Sequence, residues 1–165
     1  MDSPLMVGRF FALNEFRCRG WENREHGRKC CCRGAVKYDP VLVSVLDVVR
    51  ESVFRGPVIV LNGFRCEAYN ASVGGYGKSE HMEGRAADLL VNSMMQTSAR
   101  MVLSHIRGTA ESIGIILLAT LPPGRGNVIY YTAPGRNFIH VDVGARSGDT
   151  MVRESTALPK VAGRH

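Results

Sequence analysis

Arg85-Ala-Ala-Asp-Leu-Leu-Val91 and Asn137-Phe-Ile-His-Val-Asp-Val143 decide the reading of this 165-residue chain. Both are short apolar runs without Pro or Gly, and both predict strands. Side chains alternate across a strand, so Asp88 shares a face with Ala86 and Leu90, while His140 and Asp142 share one with Phe138. The opposite faces carry Ala87, Leu89 and Val91 on one run and Ile139, Val141 and Val143 on the other. A carboxylate inside an apolar strand is costly to bury unless it is paired or binds a metal. If the two strands are neighbours in one sheet, Asp88 and His140 converge, and His81, seven residues earlier across Gly84, can join them. Two imidazoles and a carboxylate, with a fourth position for water, make a catalytic zinc shell. Taken singly, His81 also suits a loop histidine, Asp88 a partner of Arg65 or Arg85, and His140 a satisfied core histidine.

Outward from these strands, Asp39-Pro40 predicts an N-cap followed by Pro at the first helical position. Leu42, Val45, Leu46, Val49 and Val53 continue at helical spacing to Gly56, and Val58-Ile-Val-Leu61 predicts a short buried strand. The five glycines between Asn62 and Gly84 predict a loop with close backbone packing. Thr97 or Ser98 can cap a second helix with Val102, Leu103 and Ile106 inward. Apolar segments at 113–119, 127–132 and 137–143, separated by Leu121-Pro-Pro-Gly-Arg-Gly126 and Ala133-Pro-Gly135, suit hairpins. The expected fold class is α+β, an antiparallel sheet with helices on one side. Residues 1–146 are expected to form one domain with a basic, Cys-rich loop at 14–34, and 147–165 a patternless, flexible tail.

The 21 Lys and Arg against 15 Asp and Glu give a formal charge of +6, which suits polyanionic partners such as nucleic acid or a bacterial wall. Arg17, Arg19, Arg24, Arg28, Lys29 and Arg33 are the densest group, but they lack interleaved aromatics, and no nucleic-acid partner is expected. Five cysteines cannot all pair with one another. Cys30-Cys-Cys32 contains no Cys-x-x-Cys pair and no second cluster follows, which argues against a zinc knuckle, while a Cys18–Cys66 bridge depends on the redox compartment. No signal segment is read in residues 1–20, and the apolar run from Ile113 to Leu121 is far short of the ~20 residues of a membrane span. A soluble, monomeric protein is the expectation. His26, His105 and His165 lack comparable partners, and no His-Glu-x-x-His, phosphate-binding glycine loop or Gly-x-Ser-x-Gly elbow is present.

Four ordered blocks carry a resemblance: Asn62-Gly-Phe-Arg-Cys66, Asn70-Ala-Ser-Val-Gly-Gly75, Ser79-Glu-His-Met-Glu-Gly-Arg-Ala-Ala-Asp88 and Phe138-Ile-His-Val-Asp-Val-Gly144. Over about residues 10–145 the chain resembles the zinc D-alanyl-D-alanine carboxypeptidases, a family related in fold to the hedgehog signalling domain that includes phage L-alanyl-D-glutamate endopeptidases. The resemblance implies zinc held by His81, Asp88 and His140, a cleft lined by Arg65 and Ser79, and hydrolysis of peptidoglycan stem peptides. It also suggests a protein made in the cytoplasm that acts on the wall as a phage or prophage lysin, or a trimmed exported enzyme. Two departures stand out. The position three before the last histidine, often acidic in the family, is Asn137, so the general base is expected to be Asp142, with Glu80 and Glu83 as fallbacks. The stretch from Ile115 to Pro134 is longer than the usual link. The missing acid also leaves room for a hedgehog-like zinc-binding or partner-recognition module without catalysis.

Overall fold

The computed structural model of the protein describes residues 4–22, 30–91, 99–133, 137–146, 148 and 150–156. Its centre is a five-stranded sheet of β1 (Val60–Asn62), β2 (Ala86–Leu90), β3 (Arg125–Tyr131), β4 (Phe138–Ala145) and β5 (Val152–Ser155), in the spatial order β1-β2-β4-β3-β5. All pairings are antiparallel except β3 with β5, so the sheet is mixed rather than purely antiparallel. β5 lies in the segment expected to be a patternless tail. Four residues, three half-buried and Glu154 exposed, are too few to show a period, but Val128 pairs with Val152 and brings them into the sheet.

The helices are α1 (Pro40–Val49), α2 (Glu67–Ser72) and α3 (Ala99–Thr120). Asp39 caps α1 as expected, its carboxylate accepting from the Val41 amide at 2.8 Å. A π-helical turn, Arg50–Phe54, continues α1, and the left-handed Arg55 ends it. Leu42, Val45, Leu46 and Val49 of α1 share one core with Ala87 and Leu89 of β2, Val128 of β3 and Ile139, Val141 and Val143 of β4. Alternation therefore places the apolar faces against the helices and the opposite face, with Asp88, His140 and Asp142, on the far side of the sheet.

Further expectations differ from the structure. The segment 113–119 is not a strand but the second half of α3, whose inner face is Ile106, Ala110, Ile113 and Leu117, all fully buried. These recur at four, three and four residues, a helical stripe, whereas β-branched content alone had suggested a strand. Leu103, expected inward, is 39% exposed, one turn off that stripe. The helix from Arg100 to Thr120 is long and apolar enough to cross a membrane by length and composition, yet its buried stripe packs on the sheet as a core helix does. The cap expected at Thr97 or Ser98 lies outside the described residues. Secondly, the loop from 62 to 84 contains α2, which its turn-rich composition concealed. Finally, β1 is an edge strand with Ile59 exposed, so its run is only half-buried.

Ile113→Ala should lower unfolding free energy by about 2–5 kcal/mol in a urea titration, whereas Ile115→Ala, on the exposed side of α3, should stay within about 0.5 kcal/mol. Equal losses would contradict a continuous helix through residue 113.

Candidate metal centre

β2 and β4 pair so that Asp88 stands directly opposite His140 and Ala86 opposite Asp142. Cross-strand partners on one face lie close enough for their side chains to touch. His81 arrives from a 3-10 turn, Glu80–Glu83, that ends at Gly84 in the left-handed region. Gly84 is required there twice: its φ is +69°, and a Cβ would stand 2.7 Å from the Lys37 carbonyl carbon. The Gly84 carbonyl also accepts from the Asp39 amide, so the turn is locked to the start of α1.

Three atoms meet at the centre. Asp88 Oδ1 lies 3.2 Å from His81 Nε2 and 3.1 Å from His140 Nδ1, and the two ring nitrogens are 3.2 Å apart. The far side of each ring is committed elsewhere. His81 Nδ1 is 2.7 Å from the Gly63 carbonyl, which can only accept, so Nδ1 carries the proton and Nε2 presents its lone pair inward. His140 Nε2 donates to Asp142 Oδ2 at 3.1 Å, so Nδ1 faces the same centre. Asp88 Oδ2, in turn, accepts from Asn62 Nδ2 at 3.2 Å and from the Arg65 guanidinium. Three electron-pair donors thus face one point, with their outer atoms held by backbone, carboxylate, amide and guanidinium, the support that orients metal ligands. Tetrahedral donors at zinc–nitrogen distances stand ~3.3 Å apart, close to the separations found, so the residues fit a divalent ion.

Electrostatics point the same way. Burial pulls the His81 imidazole below its usual pKa, with the nearby Asp88 charge only partly opposing. Burial would raise the Asp88 carboxyl, but its close neighbours His81, Arg65 and His140 outweigh burial and hold it well below the usual range. For His140 burial acts downward, and the hydrogen bonds and charges of Asp142 and Asp88 outweigh it, lifting the pKa to about 9. The cluster therefore attracts a cation, and a proton on His140 competes with a metal for it. His81 and Asp88 keep 2% and 3% of their side chains exposed and His140 14%, so His140 is the least covered of the three.

The chain matches the family model for Peptidase M15 over residues 10–116, well over half its length. It belongs to the Peptidase M15 family. No curated protein sequence matches it. M15 members are zinc-dependent peptidases, so the chain is a peptidase by family. The match covers His81 and Asp88 and stops before His140, which the pairing of β2 with β4 brings beside Asp88.

The other expected residues lie as follows. Asp142 does not face the centre: it sits behind the His140 ring, 4% exposed, with Oδ1 accepting from Asn127 Nδ2 at 2.9 Å and the Gly144 amide at 3.1 Å. With every oxygen occupied and a ring between it and the three donors, it is badly placed to receive a proton from that centre. Glu80 pairs with Arg85 and Glu83 with Lys37, so neither fallback is free. Arg65 is not an open cleft cation but the partner of Asp88, with 14% of its side chain exposed. Ser79 is half-buried at the start of the His81 turn, and its hydroxyl makes no cap bond to it. The sequence reading missed Asn62, Gly63 and Asn127; Asn62 and Gly63 stand in a quoted block, but only tertiary contact reveals what they hold.

Removing one partner of a buried ion pair leaves the other uncompensated, so Arg65→Ala should cost about 3–5 kcal/mol in chelator-treated protein. A loss below about 0.5 kcal/mol, as for an exposed arginine, would contradict the Arg65–Asp88 pair.

Proposed function

We propose that the protein is a zinc metallopeptidase that hydrolyses peptide bonds in the stem peptides of bacterial peptidoglycan, as a D-Ala-D-Ala carboxypeptidase or an endopeptidase, in the setting of a phage or prophage lysin. The observation that carries this reading is the convergence of His81 Nε2, His140 Nδ1 and Asp88 Oδ1 in a chain of the M15 family. His81, Asp88 and His140 would hold the ion. Zinc supplies Lewis acidity toward a scissile carbonyl and lowers the pKa of water at the site.

The chain's own residues supply the rest. Asn62 and Arg65 hold one oxygen of Asp88, which keeps the other turned to the centre. The Gly63 carbonyl keeps the proton of His81 on Nδ1, and Asp142, itself held by Asn127 and Gly144, orients His140. Asp142 is therefore a positioning residue rather than the general base. Substrate would approach past His140, with Ser79 at the rim and the net charge of +6 favouring an anionic wall.

A second reading, a zinc-binding recognition module without catalysis, is favoured by one observation. Among the described residues no carboxylate other than Asp88 contributes to the donor cluster, and Glu80, Glu83 and Asp142 all have other partners. Purified peptidoglycan incubated with zinc-loaded protein separates the two. The peptidase reading expects new amino termini or free D-alanine, reduced to background by His81→Ala. Retention on the wall without any released product would support the recognition module instead.

Asp142→Asn should weaken zinc binding roughly 10–100-fold, as loss of a ligand's supporting partner does, with activity recovering as zinc is raised. Unchanged zinc affinity with no turnover at any zinc concentration would return Asp142 to the role of base.

A further inference from the structure

A second cluster of metal-ligating side chains lies apart from the histidines. Cys18 follows the 3-10 turn Leu13–Phe16, Cys30 and Cys32 stand in the turn before Val36, and Cys66 is the N-cap of α2. Their four sulfurs all lie within 4.8 Å of one another. Cys30 Sγ is 3.6 Å from Cys18 Sγ, 3.2 Å from Cys32 Sγ and 3.7 Å from Cys66 Sγ. Two disulfides would draw the sulfurs into two pairs at ~2.05 Å. Four thiolates around one zinc at ~2.3 Å stand ~3.8 Å apart along every edge of the tetrahedron, and the separations found resemble that set.

Backbone amides surround these sulfurs, against burial that pushes the Cys18 and Cys32 thiols up. The Cys66 amide points at Cys18 Sγ at 3.5 Å, and the Gly20 amide also donates to that sulfur. Cys30 receives the amides of Gly34 and Cys32, and Cys66 that of Cys31. Arg33 and Gly34, with φ of +52° and +78°, curl the chain back so that the Gly34 amide reaches Cys30. An amide hydrogen bond favours the charged form of an acid, as it does for carboxylates. A zinc ion with four thiolates carries a net charge of about −2 by the ligand charges. In sequence a basic residue stands beside each of the four, Arg17 and Arg19, Lys29, Arg33 and Arg65, although Arg17 pairs with Glu22 and Arg65 with Asp88.

We propose that Cys18, Cys30, Cys32 and Cys66 form a structural tetrathiolate zinc site that clamps the N-terminal loop onto the segment from Gly63 to Cys66. Soft thiolates select zinc over hard cations, and four protein ligands leave no open position for substrate. The clamp bears on the histidine centre through a short path: Phe64 donates to the Phe16 carbonyl, Gly63 accepts from His81, and Arg65 holds Asp88. The spacing argument against a zinc knuckle fails because the ligands come from three separate segments, not from two Cys-x-x-Cys pairs.

The test is metal and thiol stoichiometry on protein purified under reductant. Wild type should carry two zinc equivalents, His81→Ala one, Cys18→Ser and Cys66→Ser at most one, and Cys31→Ser two, since Cys31 is exposed and outside the cluster. In native wild type one thiol should react rapidly with a chromogenic disulfide reagent and four only after denaturation with chelator. Cobalt substitution of His81→Ala should give an intense sulfur-to-metal charge-transfer band, a readout that does not depend on peptidase activity. The proposal is overturned if His81→Ala purifies without metal and takes up no cobalt with such a band. A mass lower by the hydrogens of one or two disulfides would overturn it equally. Should the serine variants fail to fold, the wild-type and His81→Ala measurements decide it.

Discussion

One buried carboxylate organises this protein. Asp88 lies at the middle of β2, 3% exposed, on the far side of the sheet from the core that α1 and α3 share with it. An unpaired charge there would cost several kcal/mol. Its two oxygens divide the problem: Oδ2 is covered by Asn62 and Arg65, and Oδ1 faces the inward nitrogens of two histidines. Nearly every local feature serves that arrangement. The register of β2 against β4 sets His140 opposite Asp88, the Gly84 turn returns His81 to the same place, and the β1 edge brings Asn62 within reach.

The support extends one layer further on each side, and the layers differ in kind. His81 is fixed by a backbone carbonyl, which no side-chain substitution removes. His140 is fixed by Asp142, which depends in turn on Asn127 from β3. The sheet order β2-β4-β3 therefore matches the chain of contacts from ligand to support. Asp142 accepts from a ring, an amide side chain and a backbone amide, the bonds that hold it behind His140.

Much of this was legible in the chain itself. Parity alone separated Ala87, Leu89, Ile139 and Val141 from Asp88 and His140, because a two-residue period needs only a few residues and a buried face to show. The α1 cap at Asp39-Pro40 was equally plain, since its signal is local. Other features were hidden because their causes are not local. Ile113 to Leu117 looks like a strand until Ile106 and Ala110 are counted on the same stripe. β5 has only a neighbour, Val128, to justify it. Asp142 shared a face with His140 and so looked available, but parity does not say which side of an imidazole a carboxylate occupies. The four cysteines lacked a motif because loop closure, not spacing, assembles them.

The central claim is that His81, Asp88 and His140 form a metal centre, and anomalous diffraction at the zinc edge from crystals of the purified protein tests it most directly. The account predicts a zinc peak bonded to His81 Nε2, His140 Nδ1 and Asp88 Oδ1, with His140 Nε2 still on Asp142. Crystals grown with zinc that show no peak there, and His140 Nδ1 hydrogen-bonded to Asp88 instead, would contradict it.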